Sequence, residues 1–180
     1  AHFGTSRSNR SMEESREEIA LLLDLLGLAP QVTVVNGAPE AIANEQTQTD
    51  SAGAQLIITE SKLASAQDPL FVAFLGPLTD MASAILLDPD IVHRDIVVVW
   101  IGGVGYRGVE TYPGLEFNLG NDIAAANVVY DSGITVWQVP SNVYSMVSVS
   151  YTELEEKIGG TSQLADDLIS QMVEWNRTYH

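Results

Sequence analysis

A chain of 180 residues with 46% hydrophobic content can bury one sizeable core and is too apolar to read as disordered. Its formal net charge of −16, from 24 acidic side chains against eight Lys and Arg, repels phosphate backbones and argues against nucleic-acid binding; the acids form either a solvated coat or an attraction for cations. With no Cys and three His, disulfides, thiolate metal sites, a cysteine nucleophile and a multi-histidine metal site are excluded or starved of material, and nothing in the chain reads as a membrane span or an export signal, so the cytoplasm is the expected compartment.

The segment SMEESREEIALLLDLLGLAP predicts a helix, with Ser11 and Glu14 spaced as a capping box and Ile19, Leu22, Leu23 and Leu26 on one face. Gly27 and Pro30 end it. QVTVVNGAPE reads as a short buried strand closing at Gly37, and SAGAQLIITESKLASA as a second helix. PLFVAFLG is a continuous apolar run, the pattern of a strand covered on both faces. PLTDMASAILLD follows as a helix, with Pro77 tolerated in its first turn.

DIVVVWIGG is the plainest strand, four β-branched residues and Trp100 before a double glycine. DIAAANVVYDSG predicts a helix and ITVWQVP a further strand, and the remainder gives two helices broken at Gly159 and Gly160. Buried strands alternating with helices predict an α/β fold, a mainly parallel open sheet with helices on both faces. No internal repeat or linker interrupts it, so a single domain over residues 1–180 is expected.

In such sheets ligands bind beyond the carboxyl ends of the strands. That rule selects four loops: NGAPE, LGPLTD, IGGVGYRGVETYPGLEFNLGND and VPSNVY. The third is long for a strand-to-helix connection, which favours function. Within it, Glu116 and Asn118 stand two apart, so an extended backbone points both to one side. A carboxylate and an amide together complement neighbouring hydroxyls, as on a sugar. The competing reading is a polar loop that solvates itself and packs Phe117 inward. Asn121 and Asp122 precede a helix and suit a cap, with ligand contact as the alternative. IGGVG lacks the GxGxxG spacing, so a dinucleotide site is not expected.

In GPLTD, Thr79 either satisfies local backbone groups or turns its carbonyl toward the strand ends as a hard oxygen ligand for Ca²⁺. Asp80 reads as a surface acid. Trp137 and Tyr144 are large enough to stack on a nucleobase, although core packing for the first and a surface position for the second are the plainer readings. His93 lies between a helix and a strand on the side away from the strand ends. His2 follows the presumed strand start and could approach the pocket, while the plainer reading is a mobile terminus.

FVAFLGPLTDMASAILLDPDI, IVVVWIGG and EFNLGNDIAAANVVYDSGITVWQVPSNVY, in that order and preceded by RSMEESREEIALLLDLLG, resemble the inosine-uridine preferring nucleoside hydrolases, in the branch with a tryptophan before IGG. The resemblance runs over most of residues 1–150. It implies hydrolysis of the N-glycosidic bond of a ribonucleoside to ribose and free base, on a sugar held by Ca²⁺. It further implies that the Thr79 carbonyl binds the metal, that Glu116 and Asn118 bind ribose hydroxyls, and that Ile101 lines the sugar pocket. The family's DxDxxxDD cluster has no counterpart here, so no catalytic residue is assigned. Glu110 and Thr111 stand near the place of a ribose-binding asparagine. Ala1–Phe3 resembles the end of the family's second strand, and a further aspartate ligand falls beyond His180, so the chain is expected to be a piece of a longer family fold. The implied partners are a small-molecule nucleoside and a second copy or another chain, with neither nucleic acid nor membrane. Two rivals remain open: a sugar-binding or assembly module without catalysis, and a flavodoxin-like cofactor binder.

Overall fold

A computed structural model of the chain describes residues 10–106 and 114–179. The expectations for Ala1–Phe3, His2, Glu110 and Thr111 lie outside those residues. The described residues fall into two compact units, one built mainly from Val34–Met146 and the other from Glu17–Thr33 with the chain from Val147 onward.

The first unit is an α/β layer. Strands β1 (Leu70–Phe74), β2 (Ile96–Ile101) and β3 (Thr135–Val139) form a parallel sheet in that spatial order. Leu70 lies opposite Ile96, and Val98 opposite Val136, which sets Leu70, Val72, Phe74, Ile96, Val98, Trp100 and Val136 on one face. That face is buried against helices α2 (Ala52–Ser61), α3 (Thr79–Leu87) and α5 (Ile123–Asp131), through Ile58, Met81, Ile85, Val129 and the small residues Ala54, Ala82, Ala84, Ala125 and Ala126. Alanine at the contact lets the helix backbones approach closely, so Val98 and Trp100 are fully enclosed.

The other face behaves differently from the reading of residues 69–76 as a strand covered on both sides. Phe71 is 54% exposed and Trp137 56% exposed, their rings 5.6 Å apart. An apolar run is compatible with a one-sided strand whenever the helices of its unit pack on one side only. Trp137 is thus a surface residue here, and the core reading for it is corrected.

QVTVVNGAPE forms no strand, and residues 33–38 carry no regular structure. Its propensity is that of a strand, but a strand exists only as a member of a ladder, and this segment joins none of the three. The helix expectations hold, with shifts at the ends. The helix α1 (Ser11–Leu25) begins with Ser11 already inside it, and Arg10 supplies the first accepting carbonyl, to Glu14 N at 3.0 Å. For α3 the cap position is Leu78, so Pro77 stands just ahead of the helix. His93 is exposed at the end of a 3₁₀ turn (Pro89–His93) that leads into the amino end of β2, away from the strand ends, as expected.

In the second unit, α7 (Tyr151–Ile158) and α8 (Gln163–Tyr179) are separated by Gly159 and Gly160. Gln171 Nε2 on α8 donates to Glu18 Oε1 on α1 at 2.9 Å. No helix among the described residues is long and apolar enough to cross a membrane.

Candidate functional site

The site grows from the end of β2. Trp100 fills the buried face, and a Cβ on Gly102 would stand 2.3 Å from its indole ring, so only glycine permits the chain to pass. Gly103 then turns with φ +75°, a conformation that favours glycine. The turn is tied to the end of β3, with Gly102 N donating to Val139 O at 3.2 Å and Ser141 N to Gly103 O at 3.0 Å.

Glu116 is gathered onto this turn. It is 2% exposed, and its carboxylate is almost wholly committed. Oε2 accepts from Gly103 N at 2.7 Å and from Leu119 N at 2.9 Å, the second bond capping the short helix α4 (Phe117–Asn121). Oε1 accepts from the Tyr144 hydroxyl at 2.9 Å, carried by the one-turn helix α6 (Ser141–Tyr144). A buried carboxylate is tolerated when several donors replace its water, and three do so here.

Asn118 Nδ2 donates to Ile101 O at 2.6 Å and lies 3.5 Å from Leu75 O. Glu116, Asn118 and Ile101 are therefore brought together at the carboxyl end of β2. The backbone that does this is not the extended one expected, because 117–121 is helical and the two side chains are aimed by a cap and a turn. Phe117 is exposed rather than packed inward.

Thr79 enters from the other end of α4. It is 1% exposed, and its hydroxyl donates to Asp122 Oδ2 at 2.6 Å instead of serving local backbone groups. Asp122 follows α4 and caps α5, Oδ1 accepting from Ala125 N at 2.9 Å, so the capping role expected at this position holds. Its Oδ2 also accepts from Ile42 N at 3.0 Å. One carboxylate thus joins α3, α5 and the loop that precedes α2.

Asp80 is corrected from a surface acid to a second such junction. It accepts from Ala38 N at 2.9 Å and from the Ser51 hydroxyl. Gly37 and Gly53 leave it room, since a Cβ on Gly37 would lie 2.7 Å from its Oδ2. Tyr144 is likewise corrected from a surface position to a half-buried donor on Glu116. None of these pairings has a local sequence signal: Thr79 and Asp122 are 43 residues apart and Tyr144 and Glu116 are 28 apart.

Among the described residues no group of three or more His, Asp or Glu side chains is arranged to hold a metal ion. The carboxylate that Thr79 touches, Asp122, and that of neighbouring Asp80 accept from backbone and hydroxyl donors. A recess of about 730 Å³ is lined by Tyr151, Glu155, Asp166, Ile169 and Arg177 of the second unit and includes none of Thr79, Ile101, Glu116 and Asn118.

A smaller recess of about 220 Å³ adjoins Gly103 and is lined by Trp100, Leu119, Asn127, Tyr130 and Gln138. Burial pushes the Tyr130 phenol up to about 12, with a smaller contribution from Tyr106. A raised phenol holds its proton in the folded state while the unfolded chain releases it near pH 10, so this contribution to stability is present below pH 10 and lost as pH rises toward 12. An absorbance titration at about 295 nm is expected to show a tyrosine ionising late, and Tyr130→Phe to remove it.

The profile of the inosine-uridine preferring nucleoside hydrolases matches residues 4–180. Uridine nucleosidase 1 of Arabidopsis thaliana is 24% identical over 195 residues, covering 96% of this chain and 57% of its own length. The pyrimidine-specific ribonucleoside hydrolase RihA of Salmonella paratyphi A is 21% identical over 196 residues, covering 98% of this chain and 62% of its own. The chain thus spans little more than half the length of these relatives. Among solved structures, the plant nucleoside hydrolase PpNRh1 superposes with a TM-score of 0.71 at 18% identity, over 88% of this chain and 57% of that one. A purine-preferring ribonucleoside hydrolase from Gardnerella vaginalis gives 0.63 at 22%, over 82% and 56%. At these identities the superpositions show a shared fold.

Proposed function

The chain belongs to the inosine-uridine preferring nucleoside hydrolase family, and from that premise we propose that it serves hydrolysis of the N-glycosidic bond of ribonucleosides, supplying the wall that grips the ribose. Glu116 and Asn118 hold the sugar hydroxyls and Ile101 lines the pocket beside them. The observation that carries this reading is the hydroxyl already seated on Glu116: the Tyr144 phenol donates to Oε1 at 2.9 Å, the kind of bond a ribose hydroxyl would make. A fixed carboxylate at that point also opposes the positive charge that develops on the sugar ring as the base departs.

Calcium is the metal the family resemblance implies. It takes six to eight oxygen ligands. Thr79 offers one carbonyl, and the described residues provide no carboxylate group to accompany it, so they do not fit the ion. Their contribution is confined to binding and orienting the sugar. A second reading, a ribosyl-binding module without catalysis, is favoured by that misfit.

Release of reducing sugar from inosine and uridine, with calcium and with a chelator, separates the two. Release of sugar in either condition supports the first reading. Binding of the nucleosides without release would favour the second reading, and neither binding nor release would defeat both.

A further inference from the structure

The turn that carries Tyr144 holds an oxygen with no internal role. Asn142 Oδ1 is the one buried side-chain nitrogen or oxygen without a hydrogen-bond partner among the described residues. Folded chains satisfy nearly all such atoms, because an unmet buried acceptor forfeits its bond to water and gains none in return. Elsewhere around this site the rule is kept closely. Glu116, Asp122, Asp80 and Asn118 each have at least two polar neighbours.

The position of the exception is informative. Asn142 follows Ser141, whose amide is held by Gly103 O, and stands two residues before Tyr144, whose hydroxyl sits on Glu116. The turn is anchored at one end to the Gly103 turn that follows β2 and at the other to Glu116, one of the groups proposed above to grip the sugar. The residue as a whole is half-buried, and the terminal torsion of asparagine is broad, so rotation about it can turn the oxygen toward a ligand.

Resting on the nucleoside-binding reading, we infer that Asn142 is a further ligand-binding residue of this site, its side-chain oxygen accepting a hydrogen bond from a ribonucleoside. A carbonyl oxygen accepts and cannot donate, so its partner is a hydroxyl of the ribose or an N–H of the base.

The test uses the 180-residue chain, titrated with D-ribose, uracil and uridine by NMR, beside its thermal unfolding. Asn142→Ala is expected to weaken uridine binding roughly three- to tenfold, the loss of one neutral hydrogen bond, while its melting temperature stays the same or rises. Asn142→Asp, which keeps an acceptor at the same reach, is expected to restore binding. A matching loss for D-ribose identifies a hydroxyl as the donor, and a matching loss for uracil identifies the base. Unchanged uridine affinity in Asn142→Ala, or a fall of several degrees in its melting temperature, would overturn the assignment while leaving the ribose wall intact. A parent chain that binds none of the three ligands would remove the nucleoside reading and this residue's role with it.

Discussion

Asp122→Ala is expected to destabilise the first unit by about 3–5 kcal/mol, the largest effect of any single side chain in the site. Removing the carboxylate costs the cap of α5, about 1 kcal/mol. It also strands the Ile42 amide and the Thr79 hydroxyl, both bonded to Oδ2, at about 1–3 kcal/mol for each donor that stays buried. Part of that is recovered because a buried charge no longer needs solvation. For a chain of this size the net effect corresponds to a fall of roughly 10 °C or more in melting temperature. Asp122→Asn keeps one carbonyl oxygen and is expected to lose about half as much. Urea and thermal unfolding measure both variants. A loss under about 1 kcal/mol for the alanine variant would mean that water replaces the carboxylate and that Asp122 does not hold α3, α5 and the preceding loop together.

Glu116→Ala is expected to act on two properties at once. The Gly103 and Leu119 amides and the Tyr144 hydroxyl lose their acceptor, which costs about 2–4 kcal/mol of stability. Nucleoside affinity is expected to fall roughly 10- to 100-fold, the range for a hydrogen bond to a charged group. Glu116→Gln distinguishes the two. It keeps one oxygen for the backbone donors, so most of the stability should remain, but it removes the negative charge and sets an N–H₂ group against a hydroxyl. A folded glutamine variant that binds uridine as tightly as the parent, measured by calorimetry, would show that Glu116 is a structural junction and that the sugar is held elsewhere.

Much of the architecture could be read before any coordinates. Trp100 after a run of β-branched residues, and Ala-rich segments with apolar residues at helical spacing, specify β2 and α5 from local preference alone. The failures share one cause. QVTVVNGAPE has the composition of a strand but no neighbour in the sheet to pair with, and PLFVAFLG has the composition of a two-sided strand but packs helices of its unit on one face only. Propensity describes what a segment can do; pairing and cover are supplied from outside it.

The same division applies to the site. The sequence by itself determined the class of fold, the strand-end loops, and the acid and amide of EFNLGND as groups suited to hydroxyls, because these rest on side-chain chemistry and short-range spacing. Tertiary structure alone decided that Glu116 is enclosed by Gly103, Leu119 and Tyr144, that Asp122 rather than the local backbone takes the Thr79 hydroxyl, that Asp80 is a junction, and that Asn142 keeps an unmet acceptor. Each of those facts is a hydrogen bond made or missed between groups that only the folded chain brings within about 3 Å, and no local pattern encodes which distant partner will satisfy a buried polar atom.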